Sequence, residues 1–321
     1  MSEAGASGAK AVMRLRAVGI ALFLAVVCAG PKLRSVASRA ATPPGHGTIG
    51  TASMTSASAV NECATPRADW IWCDDFEENR LRRYFEYDSA GGSFARAAGV
   101  GRDGSFGIRA RFAKGQEEAG ALHLAMGKEP SRSFKTVDAG TAIYRDLYWR
   151  AYLRTQPGWV GGAGYKFTRA MSFATRNWAQ EMVAHLWGGD PPDSNYLQLD
   201  PVSATDSFGV LAATQYNDFA HFRWLGRKRG VTPLFDASHV GRWYCIEAHA
   251  RLNDAGGSNG VFEYWLDGNL EARETGLAWV GPLGEYGINA VFFENYWNGG
   301  SPAGQERYFD NIVVGTQRIG C

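Results

Sequence analysis

Two neighbouring segments near the end of the chain alternate apolar and polar side chains with a period of two. They are residues 243–253 and 262–268, joined by the glycine-rich stretch 254–260. This alternation is typical of half-buried strands, because successive side chains of a strand point to opposite faces. The second segment ends in Asp267-Gly268, a pair that favours a tight hairpin turn. The two segments therefore predict a β-hairpin, and they constrain the chain to a β-rich fold.

The composition supports a single all-β domain. The chain has 321 residues with 40 glycines and 11 tryptophans, and it shows little helical periodicity. All-β sandwiches reach this size as one domain. Further strands, separated mostly by glycine and proline, are predicted at residues 70–77, 99–112 (a turn and then a strand), 119–127, 143–154, 165–174, 180–187, 196–200 and 210–216. A net charge of +1 gives no general attraction to nucleic acid or to an acidic membrane.

The N-terminus is typical of a secretory signal peptide. Arg14 and Arg16 precede the apolar run 17–27. The small residues that follow this run fit cleavage after Ala29. The run is too short to span a membrane comfortably, so we predict residues 1–29 as a signal and no stable membrane insertion. Met13 is an alternative start, since residues 1–12 add nothing to the signal.

The rest of the chain divides into a leader and a folded domain. Residues 30–62 consist largely of Ala, Ser, Thr, Gly and Pro, a composition that predicts a flexible leader. The folded domain is predicted over 63–321. A lipoprotein acylated at Cys28 is the alternative to secretion, and the bulky Val27 before it disfavours that alternative. We expect an extracellular or periplasmic protein that is a monomer.

Polar side chains of the central strands suggest a ligand groove. In residues 165–174, the apolar Phe167, Met171 and Phe173 are expected to face the core and Lys166 to face outward with Thr168 and Ser172. Arg169 breaks this alternation, which indicates a bulge. If the central strands line a concave sheet, the groove holds Arg150, Tyr152, Lys166, Glu181, His185, Trp187, Gln198 and Tyr216. This set can hydrogen-bond to and stack on sugars, whereas a plain solvated sheet would more often show Lys, Glu, Ser and Thr.

The order of these motifs resembles a known group of secreted proteins. The motifs are Tyr148–Tyr152, Trp159, Lys166, the strand 243–253, Trp265–Gly268 and Tyr308–Asn311. From about residue 70 to the end, the layout is similar to polysaccharide lyase-like proteins of the concanavalin A-like superfamily, such as the heparin lyase I, glucuronan lyase and family 14 alginate lyase groups. The resemblance implies a jelly-roll β-sandwich that acts on a polysaccharide. The Gln-Ile-His motif of family 7 alginate lyases is absent.

Lyase chemistry assigns roles to the groove residues. β-Elimination next to a uronate needs groups that neutralise the carboxylate, and Arg150, Lys166 and Gln198 fit that role. It also needs proton transfer, for which His185 and Tyr216 are the candidates. The remaining substrate-binding candidates are Trp187, Glu181, Tyr152, Asn217 and His221. No cofactor is expected. The alternative readings are a hydrogen-bonded structural histidine at His185, ordinary surface charges at Lys166 and Arg150, and a packing role for Tyr152.

Two other functions stay open. A glycoside hydrolase needs two carboxylates about 5–9.5 Å apart, and the Glu-x-Asp-x-Glu strand of glucanases is missing. A non-catalytic lectin would need only the groove and its aromatic side chains. A structural calcium ion near Asp310 or Asp75, with Asn311 and Asp74, is possible in principle, but we favour turn capping for these carboxylates.

The cysteines indicate an oxidising compartment. Without Cys28, four remain at positions 63, 73, 245 and 321, which predicts two disulfides. The terminal strands commonly pair in jelly rolls, so the resemblance favours Cys63–Cys321 with Cys73–Cys245. Closure of the short loop Cys63–Cys73 is the alternative. Zinc is disfavoured, because there is no Cys-x-x-Cys spacing and no histidine close in sequence to a cysteine.

Overall fold

The computed structural model describes residues 61–321, apart from Arg132 and Leu283 and the side chain of Tyr165. The predicted signal peptide and nearly all of the predicted leader lie outside these residues. Helical structure in the described part consists of short 3₁₀ turns at Glu62–Ala64, Leu81–Arg83, Ala90–Gly92, Arg102–Gly104 and Phe219–His221. Within that part, no helix has the length and apolar character needed to cross a membrane.

The described residues form sixteen strands. In chain order they are β1 (Trp70–Asp74), β2 (Glu86–Asp88), β3 (Phe94–Ala97), β4 (Gly107–Phe112), β5 (Glu118–Ala125), β6 (Asp146–Thr155), β7 (Tyr165–Phe173), β8 (Gln180–Gly188), β9 (Leu197–Ser203), β10 (Arg223–Trp224), β11 (Lys228–Arg229), β12 (Trp243–Arg251), β13 (Gly260–Leu266), β14 (Asn269–Leu277), β15 (Ala290–Trp297) and β16 (Gln305–Gly315).

The strands form two antiparallel sheets of eight strands each, stacked as a jelly-roll sandwich. Sheet A has the order β14-β13-β12-β6-β16-β4-β3, with β1 also paired to β16. Sheet B has the order β10-β9-β8-β7-β15-β5-β2, with β11 also paired to β9. The predicted all-β jelly-roll class is confirmed.

The core between the sheets follows the predicted alternation in most strands. In β6, Leu147, Trp149, Ala151 and Leu153 are all buried in the main core, as expected for a strand with one apolar face. The hairpin of β12 and β13 also forms as predicted, with Ile246 opposite Leu266. A smaller apolar cluster covers part of the outer face of sheet B and includes Val183, Phe292 and Phe173.

A bulge in β7 reverses the predicted facing of four residues. Lys166 is opposite Trp187 and Thr168 is opposite Leu186, so one extra residue, Phe167, sits in β7. Beyond this point the alternation changes phase. Met171 and Phe173 therefore join the outer cluster, whereas Thr168 and Ser172 lie opposite core residues of β8. The prediction was right about Lys166 and about a bulge, and wrong about these four side chains.

Several other strand assignments also differ. Residues 210–216, predicted as a strand, form a loop with a single bridge between Thr205 and Leu211. The loop is held locally, since both the backbone N–H and the hydroxyl of Thr214 donate to Asp218 at 2.9 Å. Strands β2, β3, β10, β11, β14 and β15 were not predicted. In β15 the apolar run 290–293 is buried on both faces of the sheet, which hides the period of two.

Both predicted disulfides exist, but their pairing differs from the preferred one. Cys63 bonds to Cys73 and Cys245 bonds to Cys321. The terminal strands do pair, and Cys73 lies opposite Val313 of β16. Residues beyond β16 then return across the outer face of sheet A, where Glu247 of β12 accepts the N–H of Ile319 at 2.7 Å. This return brings Cys321 to Cys245 and leaves Cys73 for Cys63.

Candidate active site

A cleft of about 350 Å³ opens on the outer face of sheet B. Its floor belongs to β5, β15 and β7, and its walls include β2 and the loop after residue 210. The lining side chains include Glu86, His123, Lys166, Trp178, Tyr216, Asn217, Glu294 and Tyr296. Of the predicted site residues, the structure thus brings Lys166, Tyr216 and Asn217 together.

Arg169 organises the floor of the cleft. Its Nη2 lies 2.8 Å from Oε1 of Glu294 and also donates to the hydroxyl of Tyr216. Its Nη1 donates to Oδ1 of Asn217 at 3.0 Å. Burial opposes the charge on both members of the ion pair, but Arg169 and Lys166 outweigh it and lower the pKa of Glu294. The site therefore keeps a buried carboxylate ionised and two neighbouring polar groups fixed.

Tyr216 is held with its proton available. The ring packs against Phe173 and Trp178, and burial raises the pKa of Tyr216 to about 12, although Arg169 opposes the shift. The phenol is therefore protonated at neutral pH. Because its oxygen already accepts a hydrogen bond from Arg169, its own O–H can donate into the cleft.

Lys166 supplies a second cation at the cleft. Its Nζ lies 4.5 Å from the centre of the Tyr296 ring. Burial lowers the pKa of Lys166, and Glu294 only partly counters this effect. An ammonium that is incompletely solvated gains more from an anionic ligand than an ammonium in bulk water does.

His123 and Glu86 form a dyad that the sequence analysis missed. The Nδ1 of His123 lies 2.7 Å from Oε2 of Glu86, and the imidazole stacks on Phe292 at 3.6 Å between ring centres. Its Nε2 is buried without a hydrogen-bond partner among the described residues. A carboxylate on Nδ1 favours the tautomer whose Nε2 can accept a proton. The missed signal was the alternation Leu122-His123-Leu124, which places His123 outward.

His185 lies beside the cleft under an aromatic stack. It is opposite Arg169 in the next strand and only 1% exposed. Its Nδ1 donates to the carbonyl of Asp200 at 3.1 Å. Burial, reinforced by Arg169, lowers the pKa of His185 well below its usual range, so the ring is neutral. It stacks on Trp187 with 3.9 Å between centres.

Trp224 extends this stack to the surface. Its ring lies 5.8 Å from that of His185 and 6.1 Å from that of Trp187, nearly parallel to both. It remains 44% exposed. A flat, exposed ring carried on a fixed stack is a platform on which a sugar ring can pack.

Three other predicted binding residues lie outside the lining of the cleft. Gln198 is opposite Trp187 in β9 and is buried. Glu181 lies at a register shift near the start of β8, close to Gly284, and burial raises its pKa to about 7. His221 is exposed, with its Nδ1 2.8 Å from the carboxylate of Asp218.

Arg150 and Tyr152 belong to the other sheet, which corrects their expected place in the groove. They belong to sheet A because β6 pairs with β12 and β16 rather than with β7. They alternate with the core residues of β6 and therefore lie on the outer face of that sheet. Arg150 donates to the carboxylate of Glu62 at 2.5 Å and to the carbonyl of Gly320 at 3.0 Å. Tyr152 donates to the carbonyl of Cys321 at 2.8 Å. Arg150 therefore holds Glu62 and Gly320 against sheet A, and Tyr152 holds Cys321 there.

The carboxylates considered for calcium serve backbone N–H groups. Asp310 accepts from the N–H groups of Arg102 and Asn311 at 2.7 and 2.8 Å. Asp75 accepts from the N–H of Cys63 at 2.9 Å. In the described part of the chain, no three His, Cys, Asp or Glu side chains converge in a geometry suited to a metal ion.

Comparison with known proteins places the fold. No protein-family model matches the sequence, and no curated protein matches it either. Among solved structures, the endo-β-1,4-glucuronan lyase of the fungus Trichoderma reesei is similar with a TM-score of 0.52 and 12% identity, over 77% of this chain and 96% of that one. The marine PL-14 alginate lyase from Aplysia kurodai has a TM-score of 0.51 and 11% identity, over 78% and 100%.

An alginate lyase from a Chlorella virus matches equally well, with a TM-score of 0.51 and 14% identity over 77% of this chain and 100% of that one. The chain has a polysaccharide lyase-like fold. At these identities, the likeness concerns the fold alone, so the function has to be argued from the cleft.

Proposed function

We propose that this protein is a secreted lyase that cleaves an acidic, uronate-containing polysaccharide by β-elimination in the cleft on sheet B. The observation that carries the proposal is the position of Tyr216. Its phenol is anchored by Arg169, protonated, and placed in one cleft with Lys166 and His123. These groups can carry out the three tasks of elimination: charge neutralisation, proton removal and protonation of the leaving oxygen.

Lys166 and Asn217 neutralise the uronate carboxylate. The Lys166 ammonium supplies the charge. The oxygen of Asn217 is already taken by Arg169 and Gln180, so the amide nitrogen can donate to the carboxylate. Together they stabilise the negative charge that develops when the neighbouring C–H proton leaves.

His123 removes that proton, and Tyr216 replaces the one lost at the leaving group. The Nε2 of His123 is buried in the free protein, so in this proposal the side chain turns toward the bound sugar to take the proton. Glu86 then stabilises the resulting imidazolium through Nδ1. The C–O bond to the next sugar then breaks and a C=C bond forms. The O–H of Tyr216 donates to the departing oxygen, and the phenolate is stabilised by Arg169. His185 is closed off from water and stacks on Trp187, so the proposal gives it no proton-transfer role.

Two of the carboxylates that line the cleft, Glu294 and Glu86, do not suit the acid role of a hydrolase. A hydrolase needs one protonated carboxyl as its acid, with a raised pKa. In this cleft the pKa of Glu294 is lowered, despite burial, by Arg169, and that of Glu86 is lowered chiefly by its bond to His123. A binding module is the second candidate, because the exposed Trp224 platform would hold a sugar without any chemistry.

Secretion is part of the proposal. Two disulfides are typical of proteins that mature in an oxidising compartment, and a large polysaccharide is met outside the cell. The structural neighbours include lyases of glucuronan and alginate, which makes these two polymers the first to test.

An absorbance assay tests the proposal. The mature protein is incubated with glucuronan, alginate, heparin and a neutral glucan, and the unsaturated uronate product is followed in the ultraviolet while chain length is followed by size exclusion. A lyase raises the absorbance and shortens one acidic polymer. Shortening without absorbance would indicate a hydrolase, and saturable binding without shortening would indicate a lectin-like module. Either result would exclude the lyase.

A further inference from the structure

Arg307 is a buried cation that lies beneath the cleft, on the opposite sheet. It belongs to β16 of sheet A and faces the core, 1% exposed. Burial lowers its pKa to about 9, so it is charged at neutral pH. Among the residues that the structure describes, its hydrogen bonds go to carbonyl and amide oxygens and not to a carboxylate. Placing an unpaired charge in a core is costly, and such a charge calls for an explanation.

Its partners are four oxygen atoms at the back of sheet B. The Nη2 donates to the carbonyl of Lys166 at 2.9 Å and to the carbonyl of Glu294 at 2.7 Å. The Nε donates to Oδ1 of Asn295 at 2.6 Å, and Nη1 donates to the carbonyl of Ala163 at 3.2 Å. One planar guanidinium therefore ties together β7, β15 and the segment that leads into β7.

Two of these oxygens, the carbonyls of Lys166 and Glu294, lie where the hydrogen-bond ladder of sheet B is interrupted. The register of β7 against β8 shifts between Lys166 and Thr168. The register of β15 against β5 shifts between Glu294 and Tyr296. A bulge turns backbone groups away from their ladder partners, and buried carbonyls need donors from elsewhere. Arg307 supplies donors to one carbonyl at each shift.

The side chains of the same two residues line the cleft on the other face. Lys166 supplies the ammonium, and Glu294 pairs with Arg169, which in turn holds Tyr216. The backbone position of Lys166 and Glu294 thus fixes the distances among the groups of the proposed reaction. A displacement of 1 Å can reduce turnover about 10²-fold.

We propose that Arg307 is the positioning residue of this cleft: from the opposite sheet, it fixes the two backbone bulges that aim Lys166 and Glu294 into the site. The assignment of a catalytic consequence rests on the proposed function, but the positioning itself does not. The fork of the guanidinium is essential to it, because a lysine ammonium has three donors in a tetrahedral arrangement and cannot reach all four oxygens.

The test compares Arg307→Met and Arg307→Lys with the matched control Asn253→Ala. Asn253 is also a buried side chain whose bonds go to backbone groups, including the carbonyl of Val280 at 2.9 Å and the N–H of Trp279 at 2.8 Å, and it does not line the cleft. The control reproduces the loss of a buried backbone clamp. Folding of each variant is checked by circular dichroism.

Two measurements need no substrate. The first is the pH dependence of amine labelling at Lys166, read by peptide mass spectrometry. The second is hydrogen exchange at residues 164–170 and 292–297. In both Arg307 variants we expect faster exchange in these two segments and a labelling curve for Lys166 moved to higher pH, because the ammonium reaches water. Asn253→Ala should lower the melting temperature and leave both readouts unchanged.

The kinetic measurement then tests the catalytic consequence. On the polymer that the wild type cleaves, Arg307→Met should lower kcat by about 10²-fold with KM changed less than about threefold, and Arg307→Lys should fall in between. Where Arg307→Met does not fold, Arg307→Lys decides. Unchanged Lys166 labelling and unchanged exchange in the folded variants would overturn the positioning role. A wild type that cleaves nothing would refute the proposed function alone, since labelling and exchange still judge Arg307.

Discussion

Arg169 and Glu294 form an ion pair of 2.8 Å in the floor of the cleft, although their side chains are only 2% and 12% exposed. Removing one partner of such a pair leaves a buried charge uncompensated and strongly destabilises the fold. Substitution of either residue would therefore lower stability as well as activity, and the loss of turnover could not be assigned to the reaction itself. The groups that surround the pair are better probes, because they can be substituted while Arg169 and Glu294 stay paired.

Replacing Tyr216 by Phe should abolish most of the turnover. The ring contacts to Phe173 and Trp178 remain, so the fold is kept, while the proton for the leaving oxygen is lost. We expect kcat to fall by about 10²-fold or more, measured as initial rates of absorbance increase. Tyr308→Phe is the matched control, since Tyr308 donates to Glu306 on sheet A, and it should retain wild-type turnover. Equal activity in the two variants would remove Tyr216 from the mechanism.

The fall of kcat/KM at alkaline pH, the alkaline limb of the pH profile, should reflect deprotonation of Lys166. Because burial lowers its pKa, the ammonium loses its proton at a lower pH than an ordinary lysine, and kcat/KM should fall as pH rises through that value. In Lys166→Arg the cation persists, so the limb should move to higher pH even if the rate at neutral pH drops. Lys166→Met should lose kcat/KM at every pH by about 10²-fold. A limb that stays in place in Lys166→Arg contradicts this assignment.

Trp224 should matter for long chains more than for short ones. Its exposed ring lies at the edge of sheet B, beyond Trp187, where only an extended ligand reaches it. We expect Trp224→Ala to raise KM on polymer about tenfold, on the scale of a lost stacking contact, and to leave kcat within about twofold. The comparison is KM on polymer against KM on short oligosaccharides. An identical change for both substrates would place Trp224 at the reacting sugar instead.

Arg150→Met should cost stability and spare activity. Arg150 holds Glu62 and the carbonyl groups of Gly320 and Asn311 on sheet A. Breaking this buried pair should lower the free energy of unfolding by about 3 kcal/mol, measured by chemical denaturation. The kcat of the folded enzyme should stay within about twofold of the wild type. A large fall in kcat without loss of stability would restore the catalytic role that the sequence suggested.

Glu181→Gln should stabilise the protein above neutral pH. Burial raises the pKa of Glu181 to about 7, so the folded state prefers the protonated form. Its contribution to stability is complete below the unfolded pKa of about 4.5 and is lost as pH rises through about 7. Relative to the wild type, the glutamine variant should gain on the order of 1–3 kcal/mol at pH 8 and little at pH 4. If the difference in free energy of unfolding between variant and wild type were the same at the two pH values, the carboxylate would have to be solvated in the folded protein.

The sequence predicted the architecture because many strands alternate apolar side chains, which face the core, with polar ones on the other face. Leu147, Trp149 and Leu153 alternate so clearly that β6 could be placed and its faces assigned. Where a strand carries apolar side chains on both faces, as residues 290–293 do in β15, the alternation is lost. The sequence therefore contained no sign that Glu294 lies in the site. The loop at 210–216 was taken for a strand because its order depends on Asp218 rather than on a ladder.

The site was reached in part. The alternation of β7 predicted correctly that Lys166 faces outward. Tyr216 and Asn217 were predicted because they are adjacent polar residues in the sequence. Arg150 could not be excluded, since the direction in which a side chain alternates says nothing about which of two sheets the strand joins. Arg307 could not be found at all, because a charged residue in a terminal strand gives no sign that it points into the core.

The extra residue in β7 has a consequence for recognising relatives. Lys166 and Arg169 are three positions apart, the spacing of neighbours on a helix, yet the bulge at Phe167 sets them on one face of a sheet. A homologue without that residue would present its next outward side chain two positions after the lysine. Alignments of distant relatives should therefore show a one-residue gap at this point. Chains without the gap would keep both cations, Lys166 and Arg169, on the cleft face, whereas chains with it would share only the β-sandwich.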